Sequence, residues 1–141
     1  MSVEIRAEKN AVKALPAIVI AGMPDQMISG ITLKNIAVKF PGGAERSSAK
    51  VSIDNLKDIP EKPDSYPEYS MFSELPSWGV FIRHARNIQF TGLSLVAAKA
   101  DFRTPVVLDD VHQASFKKLS VKEPESKKKI FTYNSSKIKF K

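Results

Sequence analysis

The sequence predicts an all-β chain that winds as a parallel β-solenoid, and two observations favour this fold. The first is an internal repeat: residues 80–95 align without gaps over residues 106–121, at an offset of 26, and the apolar positions coincide. The second is that apolar and polar residues alternate at period two inside each unit, which is typical of strands and not of helices. Units of this length bury their inner faces by stacking on one another.

The repeat extends to both sides of that pair and predicts ladders of stacked side chains. Residues 31–38 match residues 88–95 in the same phase, and residues 130–140 match residues 106–116 at an offset of 24. We therefore expect two apolar ladders on the inner face. Their members are Leu33, Phe90, Phe116 and Phe140 in the first, and Ile36, Leu93 and Leu119 in the second.

Polar corners separate the predicted strands, at residues 84–87, 110–113 and 134–136. A β-sandwich is the competing fold, because it also has short strands between turns. The fixed offset and the absence of Asn-Gly and Asp-Gly hairpin turns favour the solenoid.

We interpret residues 1–141 as a single domain. Residues 1–16 are predicted to form an N-terminal cap or a partial coil, residues 41–77 a long proline-rich loop, and residues 122–141 a lysine-rich terminal coil. The prolines keep the loop from pairing as a central strand, because proline fixes φ and has no N–H to donate. Since each end of a short solenoid exposes a backbone edge, we expect either a lid or a homo-oligomer formed through the exposed coil ends.

The net charge of +7 comes from one end of the chain. Residues 1–111 contain 13 Lys and Arg against 13 Asp and Glu, whereas residues 112–141 contain 9 Lys against 2 Glu. A nucleic-acid groove usually combines Arg with aromatic stacking platforms. The terminal segment has no Arg, so we favour a solvated sheet edge over nucleic-acid binding.

Composition also limits the kinds of site and the location. The chain has no cysteine, which excludes disulfides and thiolate metal sites. The longest apolar stretch, Leu15 to Met23, is too short to cross a bilayer, so no membrane partner is predicted. The N-terminus lacks the basic-then-apolar build of a signal peptide.

Short segments spread over residues 15–121 form a pattern when they are taken together. They are Ile20 to Pro24, Ile28 to Ile36, Pro41 to Gly43, Ile59 to Glu61, Tyr66 to Glu68, Met71-Phe72, Leu75-Pro76, Trp78-Gly79, Arg83-His84 and Val106 to Val111. This pattern resembles the polygalacturonases, family 28 of the glycoside hydrolases. The resemblance implies a right-handed parallel β-helix of the pectin-lyase type, an acidic pectic polysaccharide as ligand, no cofactor, and a periplasmic or extracellular location for the parent family.

The hydrolytic motifs of that family are missing from this chain. Inverting hydrolysis needs an acid and a carboxylate base about 6.5–9.5 Å apart. The family supplies them from Asn-Thr-Asp and Asp-Asp motifs, supported by Gly-His-Gly and Arg-Ile-Lys, and three of these four are absent here. We expect the remaining pair, Asp109-Asp110, to close a strand rather than catalyse, because strand neighbours point to opposite faces. No catalytic residue is therefore assigned, and whether the chain is an enzyme is left open.

The long loop and the strand after it supply candidates for sugar binding. Aromatic rings stack on sugars, and arginine pairs with uronate carboxylates. The candidate residues are Tyr66, Tyr69, Trp78, Arg83 and Arg103. The alternative is that the aromatic residues attach the loop to the wall of the solenoid, and that Arg83 pairs with an acidic loop residue such as Glu68 or Glu74.

Neither histidine has an obvious partner in the sequence. His84 and His112 lie at neighbouring corners, but a metal site needs three or four converging ligands and no such spacing occurs, so no metal is predicted. No Ser-His-Asp arrangement is apparent from spacing alone.

Three functional interpretations remain. The chain is a C-terminal fragment or truncated relative of a pectin-type hydrolase, not hydrolytic alone but contributing to polysaccharide binding. Alternatively, it is a non-catalytic solenoid that binds carbohydrate or protein. The third and weakest interpretation is a basic nucleic-acid-binding protein.

Overall fold

The computed structural model of the chain describes residues 2–4, 16–45, 53–61, 75–125 and 127–141. Seven strands form one sheet system in these ranges, and all the pairs between them are parallel. The elements are β1 (Ser2–Glu4), β2 (Ile18–Ala21), β3 (Ile28–Phe40), a 3-10 helix (Ile53–Asp58), β4 (Ser77–Ala97), β5 (Thr104–Lys122), β6 (Ile130–Tyr133) and β7 (Ser136–Phe140). The all-β prediction is confirmed.

The strands stack as four repeats. Repeat 1 is β2 with β3, repeat 2 is β4, repeat 3 is β5, and repeat 4 is β6 with β7; each pairs with the next in that order. The register is the one that the internal alignment predicts, since Leu33 pairs with Phe90, Phe90 with Phe116, and Phe116 with Phe140. The three phenylalanine rings stack with centroids 4.9 and 5.1 Å apart. Each such pair stabilises the fold by about 0.5–1.5 kcal/mol beyond burial alone.

Residues with positive φ mark the corners of the repeats and stack on one another. The corner sets are His84, Asp110 and Asn134; Gly30, Asn87, Gln113 and Lys137; and Asn35, Gly92 and Lys118. The left-handed conformation costs a residue with a side chain roughly 1–2 kcal/mol. Because this cost recurs at equivalent positions, the stacking of the repeats imposes the corner geometry. The predicted polar corners are therefore confirmed as bends.

The first halves of the two central strands, residues 77–85 of β4 and residues 105–109 of β5, are buried on both faces. Val80, Ile82, Val106 and Leu108 belong to the main core, on the inner side of the sheet. Phe81 and Val107 point to the outer side and are also fully buried. A second apolar cluster covers them, formed by Leu56, Ile59 and Leu75 from the long loop. The described parts of this loop therefore pack onto the wall, which explains the unbroken apolar runs in β4 and β5.

The two ends of the stack differ in what covers them. At the first end, β1 pairs in parallel with residues 37–39 of β3, while residues 5–15 of the predicted cap lie outside the described ranges. At the other end, β6 and β7 have no strand on their outer edge in the described part of the chain. A recess of about 360 Å³ opens there among Phe116, Leu119, Val121, Ile130 and Phe140.

Candidate functional site

Trp78, a predicted sugar-stacking residue, lies in the core. Its side chain is 0% exposed, and its ring stacks on Phe40 with centroids 5.6 Å apart. The indole Nε1–H donates to Glu123 Oε2 at 3.3 Å. No face of this ring is open to a ligand, because Trp78 shares the inward side of β4 with Val80 and Ile82.

The other predicted site residues do not form an open cleft with it either. Arg103 is 2% exposed and pairs through two nitrogens with Asp101, Nε to Oδ1 at 2.8 Å and Nη2 to Oδ2 at 2.8 Å. Its guanidinium also lies 5.5 Å from the centre of the Phe40 ring. Tyr66 and Tyr69 lie outside the described residues.

Arg83 joins the long loop to the outer face of the sheet. It is 6% exposed; Nη1 donates to the carbonyl of Ile59 at 3.0 Å, and Nη2 lies 3.0 Å from Glu61 Oε1. Nε lies 3.0 Å from Asp109 Oδ2, but its N–H is not aligned for a hydrogen bond, so this contact is a charge pair only. The acidic partners of Arg83 in the described residues are therefore Glu61 and Asp109, and the proposed partners Glu68 and Glu74 lie outside those residues.

His84 connects two carboxylates at the first corner. Its Nδ1 lies 2.7 Å from Asp110 Oδ2, and its Nε2 lies 2.7 Å from Glu61 Oε1. A neutral imidazole has one N–H, so both contacts are hydrogen bonds to carboxylates only when the ring carries two protons. The side chain is buried beneath the loop, and it fixes Glu61 and Asp110 relative to the sheet.

His112 continues the same network toward the end of the stack. Its Nε2 lies 2.9 Å from Asp110 Oδ1, and its Nδ1 lies 2.8 Å from Ser136 Oγ. We call the whole network the polar corner. It consists of Glu61, Arg83, His84, Asp109, Asp110, His112 and Ser136.

Asp109 and Asp110 both belong to the polar corner, which corrects the expectation that they point to opposite faces. Asp110 has φ of +54°, so strict strand alternation ends between the two residues. Asp109 contacts Arg83, Asp110 contacts His84, and Glu61 contacts both Arg83 and His84. The left-handed backbone of Asp110 is the physical reason that the two carboxylates do not follow strand alternation.

The two neighbouring carboxyls have pKa values shifted in opposite directions. Burial is the main cause that raises the pKa of Asp109 above 3.8, and it outweighs the opposing charge of Arg83. The hydrogen bond from His84 is the main cause that lowers the pKa of Asp110 below 3.8. Asp110 is therefore an ionised acceptor at neutral pH, held by a histidine at each oxygen.

A groove of about 760 Å³ runs beside the polar corner on the outer side of the stack. Its lining comes from equivalent positions of successive repeats: Asn87, Gln89, Gln113, Ala114, Ser115, Lys137, Ile138 and Lys139. Gln89, Ser115 and Lys139 are direct register partners. Amides and a hydroxyl line the middle repeats, and two ammonium groups line the last one.

The described ranges contain neither a cluster of metal-ligating side chains nor a helix that could cross a membrane. These residues contain no group of three or more His, Cys, Asp or Glu side chains arranged to hold a metal ion. Their helices are also too short or too polar to cross a bilayer.

The sequence contained a signal for the polar corner that residue-by-residue interpretation missed. His84 and Asp110 are separated by the 26-residue offset of repeats 2 and 3, and His112 and Ser136 by the 24-residue offset of repeats 3 and 4. Residues one offset apart stack directly, so the same alignment that predicts the phenylalanine ladder also predicts these polar contacts.

Comparison with known proteins adds no identity to this site. The chain matches no protein-family model, no curated protein and no solved structure.

Proposed function

We propose that the chain is a short right-handed parallel β-helix, related to the C-terminal coils of polygalacturonase-type hydrolases, that binds acidic polysaccharide without hydrolysing it. Four repeats in parallel register support the β-helix, as do the stacked corners of positive φ. The relationship to the hydrolases is supported by the segment pattern over residues 15–121. Loss of hydrolysis is supported by the three missing motifs.

The observation that carries the binding function is the groove. Asn87, Gln89 and Gln113 present primary amides, which donate and accept hydrogen bonds as sugar hydroxyl groups do. Lys137 and Lys139 present ammonium groups that pair with uronate carboxylates. Because neighbouring strands lie about 4.8 Å apart, a linear chain lying along the groove meets polar side chains at the same positions of each repeat, amides at the middle repeats and ammonium groups at the last one.

Charge beyond the groove favours an acidic ligand at the same place. Lys117 follows the groove residue Ser115 by two residues on β5, and Lys141 follows the groove residue Lys139 by two residues, directly after β7. Both are exposed, so their ammonium groups remain solvated and available to a polyanion. Acidic polysaccharide is favoured over nucleic acid because the described lining of the groove has neither an arginine nor an aromatic stacking platform.

The experiment that tests the proposal is calorimetric titration of the full chain with polygalacturonate oligomers at low salt. Oligomers whose carboxyl groups have been reduced to alcohols are the matched ligand, because they keep the sugar ring and lose the charge. We expect binding of the acidic form, at least tenfold weaker binding of the reduced form, and weakening with added salt, since charge pairs at a surface are screened.

Variants then locate the site. Lys137→Gln combined with Lys139→Gln should weaken polygalacturonate binding about tenfold, whereas Lys57→Gln combined with Lys99→Gln, which removes the same charge outside the groove, should change it less than twofold. Equal losses in both double variants would contradict a groove-specific site. Equal affinity for a single-stranded oligonucleotide would show that the chain binds polyanions without selecting sugars.

Self-association through the coil ends stays a prediction. The apolar recess at the last repeat and the exposed ring of Phe140 are the surfaces that it would use.

A further inference from the structure

A serine hydroxyl, an imidazole and a carboxylate stand in one hydrogen-bonded line at the polar corner. Ser136 Oγ lies 2.8 Å from His112 Nδ1, and His112 Nε2 lies 2.9 Å from Asp110 Oδ1. An ionised carboxylate can only accept, so Nε2 carries the proton of the neutral ring and Nδ1 accepts the Ser136 O–H. Nucleophile, base and orienting group therefore lie within reach in the order that nucleophilic catalysis requires.

The carboxylate of this line is held on its other side as well. Asp110 Oδ2 contacts His84 Nδ1 at 2.7 Å, and His84 Nε2 contacts Glu61 Oε1 at 2.7 Å. Asp110 is thus fixed by a buried side chain beneath the loop, and the contact from His84 lowers its pKa. Asp110, held by His84 on one oxygen, orients the His112 ring through its other oxygen.

The hydroxyl is accessible, and hydrogen-bond donors lie close to it. Ser136 is exposed, and the His112 side chain is 37% exposed. Ser136 directly precedes the groove residue Lys137, and His112 directly precedes the groove residue Gln113. The Cα atoms within each of these two pairs are about 3.8 Å apart. The outer edge of β7 has no neighbouring strand in the described part of the chain, so the backbone N–H groups that point away from β5 are open to an oxyanion.

We propose that Ser136 is a catalytic nucleophile activated by His112 for the hydrolysis of small carboxylic esters, with Asp110 as the positioning residue. Ser136 Oγ forms a bond to the carbonyl carbon while His112 Nδ1 takes its proton. The C–O bond to the alcohol then breaks, and the imidazolium returns the proton to the leaving oxygen. Water, deprotonated by His112, next hydrolyses the acyl-serine to release the acid and regenerate Ser136. This chemistry goes beyond polysaccharide binding and does not depend on it.

The direct test is covalent labelling of the full chain with a fluorophosphonate probe. The Ser136 oxygen would form a bond to phosphorus as fluoride leaves, and peptide mapping by mass spectrometry would locate the adduct. We expect one adduct per chain, at Ser136. Ser136→Ala should lose it, and Ser120→Ala, an exposed serine on β5 that has no histidine partner at its hydroxyl among the described residues, should keep it.

Ester turnover separates the roles of the three residues. With p-nitrophenyl acetate, Ser136→Ala should reduce the rate to background and His112→Gln should lower kcat at least about a hundredfold, the range of general-base catalysis. Asp110→Asn should lower kcat with KM changed less than twofold, and circular dichroism should match the parent chain. No adduct, an adduct at another residue, or full turnover by Ser136→Ala would overturn the proposal.

Discussion

The middle repeats and the last repeat use the same ladder positions but bury them to different extents. Phe116 lies between Phe90 and Phe140 and is 1% exposed, whereas Phe140 has one stacked neighbour in the described residues and is 44% exposed. Arg83, Asp109 and Tyr133 are register partners in successive repeats. Arg83 and Asp109 form a buried ion pair beneath the loop, whereas Tyr133, in the last repeat, is 56% exposed. Burial in this fold therefore depends on neighbours on both sides more than on residue type.

Replacing Phe116, the ring packed between two others, should lower the stability of the fold more than replacing Arg83 or Phe140. Phe116→Ala removes a ring that is packed on both faces and leaves a cavity between two others, so we expect the free energy of unfolding to fall by about 3–5 kcal/mol. Urea denaturation followed by circular dichroism measures the change. A loss below about 1.5 kcal/mol would mean that the ladder is not closely packed.

Removing one member of the buried ion pair should have the second largest effect. Arg83→Met leaves the Asp109 carboxylate buried without its cation and removes the donor to the carbonyl of Ile59, so we expect a loss of about 3 kcal/mol. Adding Asp109→Leu should restore much of that loss, because the unpaired charge is gone. If the double variant were less stable than Arg83→Met, the pair would not be the cause.

Acid should affect the two neighbouring aspartates with opposite sign. The lowered pKa of Asp110 means that its contribution to stability is present above pH 3.8 and is lost as the pH falls through its folded-state pKa. The raised pKa of Asp109 means that its contribution is present below pH 3.8 and is lost as the pH rises through its folded-state pKa. Each unit of pKa shift corresponds to about 1.4 kcal/mol.

Urea denaturation between pH 2.5 and 6 would separate these two contributions. The destabilisation of Asp110→Asn relative to the parent chain should shrink as the pH falls below 3.8. The stability of Asp109→Asn relative to the parent should instead increase as the pH rises above 3.8. Difference curves with the same slope for both variants would contradict the assignment of a buried and a histidine-held carboxyl.

The smallest effect is expected at the end of the same aromatic ladder. Phe140→Ala removes a ring that is already half solvated, so we expect a loss of about 1 kcal/mol by the same denaturation assay. A loss as large as that of Phe116→Ala would show that something covers the last repeat in solution. Sedimentation would then test whether a second copy of the chain does so.

The sequence predicts the parts of this molecule that depend on the repeat. The alignment of residues 80–95 with residues 106–121 gives the register of the ladders, and the polar segments give the corners, because stacking converts an offset directly into a contact. The predicted sugar cleft shows that residue type alone does not indicate which face of a strand a side chain occupies. Its residue type makes Trp78 a candidate for stacking on a sugar. Trp78 nevertheless packs in the core, because it alternates in phase with the inward-facing residues Val80 and Ile82.

The charged residues were harder to assign for a different reason. Arg103 pairs with Asp101 only two residues away, and Glu61 reaches Arg83 and His84 from a loop whose path no periodic pattern encodes. The contacts of His84 with Asp110 and of His112 with Ser136 were encoded in the offsets. They were missed because polar residues were not aligned as the apolar ones were.

In-register stacking of the repeats is the claim on which the groove, the polar corner and the ladders all depend, and cross-linking tests it most directly. The chain has no cysteine, so a double variant carries only the pair that is introduced. Gln89→Cys with Ser115→Cys places the thiols on register partners and should form a disulfide on mild oxidation. Gln89→Cys with Lys117→Cys, two residues out of register, should not. Efficient cross-linking of the second pair with failure of the first would contradict the account.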